Sequence, residues 1–227
     1  LKLKEKEQLK IQSFNTGSFM HETIDEFFEY VRQEGLSLAE LEEEQITKIV
    51  SEIIENNLKM SKNYIFTATA KYKVLVRRLK KIVSKALKYI IETIIYSDFS
   101  IEGTEVEFGK NGRYKPIVLE IGEGKKVEIT GKIDRIDTSK NEDGKYLRII
   151  DYKSSAKNID LNEVYAGLQI QLLTYTDAIC REEDIMPAGV FYFSLLEQMV
   201  KADKKMTEDV KEKYGVEVKK LAALGFS

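Results

Sequence analysis

Only one of the 227 residues is a cysteine, Cys180, and only one is a histidine, His21. A lone cysteine excludes an internal disulfide framework and points to a reducing compartment. No apolar run reaches the length of a membrane span, and the start carries no signal-peptide pattern. No G-x-x-x-x-G-K-[ST] run occurs, so any ATP-driven motor must lie elsewhere. Excess charge is lacking too. The net charge is −2, although 33% of residues are charged and 43% hydrophobic. That balance is expected of a soluble globular domain, long enough for one sizeable core. The plain start, LKLKEKEQ, and the end at Gly225-Phe-Ser227 read as cuts within a longer polypeptide.

The charge that is present is uneven. Lys71, Lys73, Arg77, Arg78, Lys80, Lys81, Lys85 and Lys88 form a stretch without one acid. Glu40, Glu42, Glu43, Glu44, Glu52 and Glu55, against Lys48, form the opposite kind. A basic helix face is either solvated or a nucleic-acid contact. Lys73, Arg77, Lys80 and Lys81 cluster near one side of such a helix and are the candidates for DNA contact.

Residues 1–16 read as a flexible lead-in. Ser18 is positioned to cap a helix to about Arg32, with His21, Ile24, Phe28 and Val31 on one face. Taken alone, His21 reads more readily as a core histidine than as a ligand. Ser37–Asn57 and Tyr64–Tyr96 read as two further helices; the second carries the stripe Tyr72, Leu75, Leu79, Ile82, Ala86, Tyr89 and Thr93. Composition then turns β-like. Phe99–Phe108, Lys115–Ile121, Val127–Asp137, Tyr146–Lys153 and Ala188–Leu195 read as strands. A helix capped by Asp160 or Asn162 is expected over Leu161–Glu182, with Val164, Leu168, Gln171 and Tyr175 on one stripe. Residues 201–227 read as a charged tail.

The chemistry concentrates in GKIDRIDTSKNEDGKYLRIIDYK, from Gly131 to Lys153. Two strands flank the loop Thr138–Lys145, whose Asn141, Asp143 and Gly144 are hairpin residues. Asp151 and Lys153 are two apart, so they share a strand face. If the strands pair, Asp134 can approach that face. Two carboxylates and an ammonium would then converge, a set suited to a hard divalent cation beside a phosphate.

In chain order come Gly17-Ser-Phe-Met-His21, Glu105-Val-Glu-Phe108, Gly131-Lys-Ile-Asp134, Asp151-Tyr-Lys153 and Gln171-Leu-Leu-Thr-Tyr175. This series resembles the PD-(D/E)XK nucleases of the RecB type. The fuller wording GKIDRID, IIDYKSS and VYAGLQIQLLTYTDAI resembles the AddB family, which supplies the second subunit of bacterial AddAB helicase–nucleases. The resemblance implies a restriction-endonuclease-like α/β core, a mixed central sheet flanked by helices, with an inserted α-helical subdomain. On that plan 17–98 hold the histidine helix and helical subdomain, and 99–200 the nuclease core.

The resemblance also implies a function. It is that of a Mg2+- or Mn2+-dependent deoxyribonuclease, an exonuclease, that processes double-strand DNA ends for recombinational repair. The setting would be the bacterial cytoplasm, in a heterodimer with an AddA-like partner and away from membranes. The implied metal ligands are His21, Asp134, Asp151 and the carbonyl of Tyr152. Lys153, Glu105, Gln171 and Tyr175 complete the implied site. Lys153 would orient the water or stabilise charge on phosphate, and Gln171 and Tyr175 would position it. Relatives of this kind carry a four-cysteine 4Fe–4S cluster. With Cys180 alone, no cluster is expected in this sequence, and the cluster ligands of a full-length protein would lie outside it. A non-catalytic nuclease-like module that binds DNA or braces a partner is the alternative; the joint presence of both aspartates, the lysine and the histidine favours the enzyme.

Overall fold

The computed structural model describes residues 15–60, 70–155 and 157–195. Helix α1 spans Thr16–Gln33. Asn15 caps it, its side-chain oxygen accepting the amides of Gly17 and Ser18 at 3.1 and 3.2 Å. The expected cap, Ser18, therefore lies inside the first turn, because Asn15 already satisfies the free N-terminal donors. The helix expected over Ser37–Asn57 is instead a 3-10 turn, Leu38–Glu40, followed by α2, Glu43–Met60. The side chain of Gln45 accepts the amide of Glu42 at 2.9 Å and sets that later start.

Helix α3 spans Ala70–Ile95; residues 64–69 of the expected helix lie outside the described part. Its β-branched end stays helical, with Ile90 and Ile91 buried. Packing overrides the weak local preference of β-branched residues here. The buried face is Leu79, Val83, Ala86, Leu87, Ile90 and Ile91, turned away from the expected stripe, and Thr93 is exposed.

The sheet has order β1-β4-β5-β6. Strands β1 (Ser100–Phe108), β4 (Gly131–Asn141) and β5 (Gly144–Lys153) are antiparallel neighbours, and β6 (Met186–Ser194) lies parallel to β5. The strand expected over Val127–Asp137 is broken at Thr130. Its first part is β3 (Lys126–Ile129), paired with β2 (Ile117–Glu120) in a separate hairpin. The second part pairs with β1 and β5, so the two halves serve different partners. Between β4 and β5 the strands run further into the expected loop. Only Glu142 and Asp143 turn the chain, and Asn141 accepts the amides of Asp143 (2.9 Å) and Gly144 (3.2 Å).

Beyond β5 the single helix expected over Leu161–Glu182 is divided. Helix α4 is Leu161–Tyr165, capped by Asp160, and α5 is Gln171–Glu183. Gly167 between them has φ +80°, a left-handed conformation that ends α4. Val164 and Leu168 therefore do not share a helix face with Gln171 and Tyr175.

Alternation along β5 builds two cores. Ile150 and Tyr152 face α1, α2 and α3, joining Ile24, Phe27, Val50, Ile54, Val83 and Leu87. Ile149 faces α5, joining Ile136, Leu172, Tyr175 and Ile179. The three N-terminal helices thus share one core with each other and with the sheet. The result is the α/β arrangement expected, a mixed sheet with helices on both faces. Among the described residues no helix is long and apolar enough to cross a membrane. The lead-in up to residue 14 and the expected tail lie outside the described residues.

Candidate metal and phosphate site

The site sits where β4 and β5 part. Their pairing stops at Arg135 and Ile150, while β5 stays paired with β6 as far as Lys153 and Ser194. The carboxylate of Asp134 enters the gap and accepts the amide of Tyr152 at 2.6 Å. The carbonyl of Lys153 accepts the amide of Leu195 at 2.8 Å, so the peptide groups of Lys153 go to β6. In an extended strand the next residue's groups point the other way. Those of Tyr152 therefore face the gap, the carbonyl included.

His21 reaches the gap from α1. Its Nδ1 lies 3.4 Å from Asp134 Oδ2, and its ring meets the ring of Tyr152 edge-on at 5.7 Å. One turn earlier, a β-carbon on Gly17 would stand 3.0 Å from Ser154 Oγ, so the small residue lets α1 start close to the end of β5. Thr104 donates a hydrogen bond to Asp25, which ties α1 to β1. The next residue, Glu105, has φ +48°. Such a backbone costs a non-glycine residue roughly 1–3 kcal/mol and persists where surroundings over-determine it. Here it accompanies a half-buried carboxylate, 2.9 Å from Lys132.

Donor atoms of His21, Glu105 and Asp134 all lie within 4.8 Å of one another. An octahedral ion with ligands at ~2.1 Å separates neighbouring donors by about 3 Å and opposite ones by about 4 Å. The three side chains therefore fit one divalent ion. Asp151, expected as a ligand, does not join this set. It is in direct contact with Lys153, and the side chains are 14% and 26% exposed, enough shelter for the pair to hold its charges together.

The electrostatics couple these groups. Burial pulls the His21 imidazole down, but the hydrogen bond to Asp134 and the charges of Asp134, Glu105 and Asp151 outweigh it and hold it above its ordinary range. Burial raises the Asp151 carboxyl, and the charge of Asp134 adds to the rise; Lys153 and His21 oppose it. Asp151 therefore lies within the field of the site although it is not among the converging donors.

Gln171 opens α5 and donates to the hydroxyl of Tyr175 at 3.1 Å. That hydroxyl presses on Gly131, at the start of β4, and the ring packs on Phe108 at 5.1 Å. The pair was expected to position Lys153; the contacts it makes are with each other and with the strand that carries Asp134. Lys73, Arg77, Lys80 and Lys81 line clefts between α2 and α3, where Glu43 and Glu55 also stand. Lys80 pairs with Glu55 at 2.6 Å and Lys88 with Glu43 at 2.9 Å. The walls of these clefts contain none of the residues at the β4–β5 gap.

Sequence reasoning missed the support beneath the site. Asp137 is fully buried between Arg135 (3.0 Å) and Arg148 (2.8 Å). Arg135 also donates to the hydroxyl of Tyr152 at 3.3 Å, holding the ring on which His21 rests. Burial pushes that phenol up to about 12, against the pull of Arg135. A signal was available: Arg135 and Asp137 are two apart in a strand, so they share a face and can pair along it.

A mixed sheet covered by helices, with two carboxylates, a histidine and a carboxylate–lysine pair where its strands part, is the architecture of a metal-dependent nuclease. The chain belongs to the PD-(D/E)XK nuclease superfamily, whose pattern matches residues 1–223. It is similar to bacterial proteins named as the AddB subunit of an ATP-dependent helicase/deoxyribonuclease. That of Clostridium novyi is 40% identical over 215 residues, 92% of this chain and 19% of that protein. That of Acetivibrio thermocellus is 38% identical over 216 residues, again 92% of this chain and 19% of that protein. In Caldanaerobacter subterraneus the match is 36% over 231 residues, 100% of this chain and 20% of that protein. The chain thus spans 19–20% of the length of these relatives.

Proposed function

We propose that this chain is the metal-dependent DNA nuclease domain of a helicase–nuclease complex and hydrolyses phosphodiester bonds. The observation that carries the reading is the meeting of His21, Glu105 and Asp134 beside the Asp151–Lys153 pair. Two carboxylates and one imidazole suit Mg2+ or Mn2+. When bound, the ion supplies a Lewis acid for the phosphate charge and lowers the pKa of the attacking water.

The chain's own residues hold and orient. His21, Glu105 and Asp134 hold the ion, with Asp151 and the carbonyl of Tyr152 in reach of the same gap. The amide of Tyr152 fixes the orientation of Asp134. Lys153 brings positive charge to where negative charge grows on the phosphate, and Asp151 keeps its ammonium oriented. Gln171 and Tyr175 brace the start of β4, three residues ahead of Asp134. Lys73, Arg77, Lys80 and Lys81 guide the DNA backbone. Contacts to phosphate carry little base information, so cutting is independent of sequence.

The names of the relatives support a heterodimer with an AddA-like partner. Exonucleolytic processing of double-strand ends in recombinational repair, in the bacterial cytoplasm, is the corresponding role. Cleavage of end-labelled single and double strands across a Mg2+ and Mn2+ titration tests the reading. Metal-dependent product from the parent, and none from Asp134→Asn, supports it. DNA binding without product at any metal concentration leaves a non-catalytic nuclease-like module.

A further inference from the structure

Asp151 and Lys153 share their face of β5 with the ring of Tyr192, whose residue is the β6 partner of Asp151. Lys153 Nζ lies 5.4 Å from the centroid of that ring. A second ammonium lies over the same ring. Lys157 Nζ is 4.9 Å from the centroid, carried by the segment that leaves β5 after the motif strand. An aromatic face attracts cations, and here one ring gathers two.

The two lysines differ in one respect. Lys153 is neutralised by Asp151, but among the described residues Lys157 has no carboxylate partner. An unneutralised ammonium is thus held half-buried beside the catalytic strand, with much of its freedom already restricted by the ring. Phosphates of one nucleic-acid strand follow one another at short intervals, so a cation beside Lys153 meets the neighbour of the phosphate that Lys153 meets.

We propose that Lys157 is a substrate-binding residue that takes the phosphate adjacent to the scissile one, on a Tyr192 platform shared with Lys153. This inference rests on the nuclease reading for its substrate. It makes Lys157 a register device. With one phosphate held over Tyr192, the next is presented at the gap between β4 and β5.

The test uses the full chain carrying Lys157→Gln, with Lys157→Arg as the charge-preserving variant. The position is on an irregular segment and outside both buried cores, so both variants keep the fold. Binding of a labelled single strand is measured with Ca2+ replacing Mg2+, across a salt series, and cleavage is measured separately with Mg2+. Lys157→Gln lowers the steepness of log K against log salt by about 0.7, the value of one single-strand phosphate contact. It also raises KM by about tenfold, the loss appearing mainly in KM, as for a charge-assisted hydrogen bond made before the chemical step. Lys157→Arg restores both. An unchanged slope and KM in Lys157→Gln overturns the proposal while the nuclease reading stands. Absence of cleavage by the parent overturns the nuclease reading, and the Ca2+ binding series still decides whether Lys157 holds phosphate.

Discussion

The hydroxyl of Tyr175 stands where a side chain on Gly131 would have to be: a β-carbon there would come within 2.2 Å of that oxygen. The glycine that opens the G-x-x-D run and the tyrosine that closes the Q-x-x-x-Y run are thus one packing unit, joined across β4 and α5. Gly131→Ala is expected to destabilise the fold by about 1–3 kcal/mol, as overpacking does. Removing the hydroxyl with Tyr175→Phe should recover much of that loss. Denaturant melts of the two single variants and the double variant check this; strict additivity of the losses would contradict the contact.

Asp134 serves both the fold and the site, and two substitutions separate these roles. Asp134→Asn keeps an oxygen for the amide of Tyr152 and removes the charge. It should bind Mn2+ far more weakly than the parent with little change in melting. Asp134→Ala also leaves that amide without its acceptor, at a further cost of about 1–3 kcal/mol. Titration calorimetry with Mn2+ and parallel melts measure the two effects.

The position of His21 predicts a pH dependence. In the metal-free protein its pKa is raised above the ordinary 6.5. A raised folded pKa means that protonation favours the folded state. The contribution is complete below pH ~6.5 and disappears as pH rises through the higher folded value. Metal-free parent should therefore lose stability relative to His21→Gln on passing from pH ~6 to alkaline pH. Equal pH profiles for the two proteins would show that His21 does not interact with Asp134 in solution. A divalent ion competes with that proton, so metal affinity should rise over the same interval.

Lys153→Ala should abolish cleavage while leaving folding and DNA affinity nearly unchanged, because the ammonium acts chiefly on charge developing in the transition state. Single-turnover rates and a binding isotherm measured on the same preparation separate the two. Comparable cleavage rates for variant and parent would return the chain to the non-catalytic reading.

The basic side of α3 admits two outcomes. If Lys73, Arg77 and Lys81 follow a DNA backbone, their joint replacement by glutamine should flatten the salt dependence of binding by roughly 0.7–0.9 per lost phosphate contact, equally for unrelated sequences. If the face serves to meet the acids of α2, as Lys80 does with Glu55, the slope should not change.

Relations set by the chain's own geometry were legible in the sequence. Alternation along a strand put Asp151 and Lys153 on one face, and they are in contact. Helical spacing paired Gln171 with Tyr175. Asn141 to Gly144 marked the hairpin. Each depends on dihedral periods that hold wherever the segment lies.

What only the tertiary structure decided involves segments far apart in sequence. The parting of β4 from β5 after Arg135 and Ile150 opens the gap, and it follows from β5 staying with β6. The break at Thr130 follows from two strands choosing different partners. Gly167 could equally have sat within a helix; its left-handed conformation is selected by where α5 must pack. The strained backbone of Glu105 puts its carboxylate with His21 and Asp134, while Asp151 turns to Lys153. No local pattern specifies which carboxylates share an ion, because that depends on distances set by packing α1 against β1 and β5.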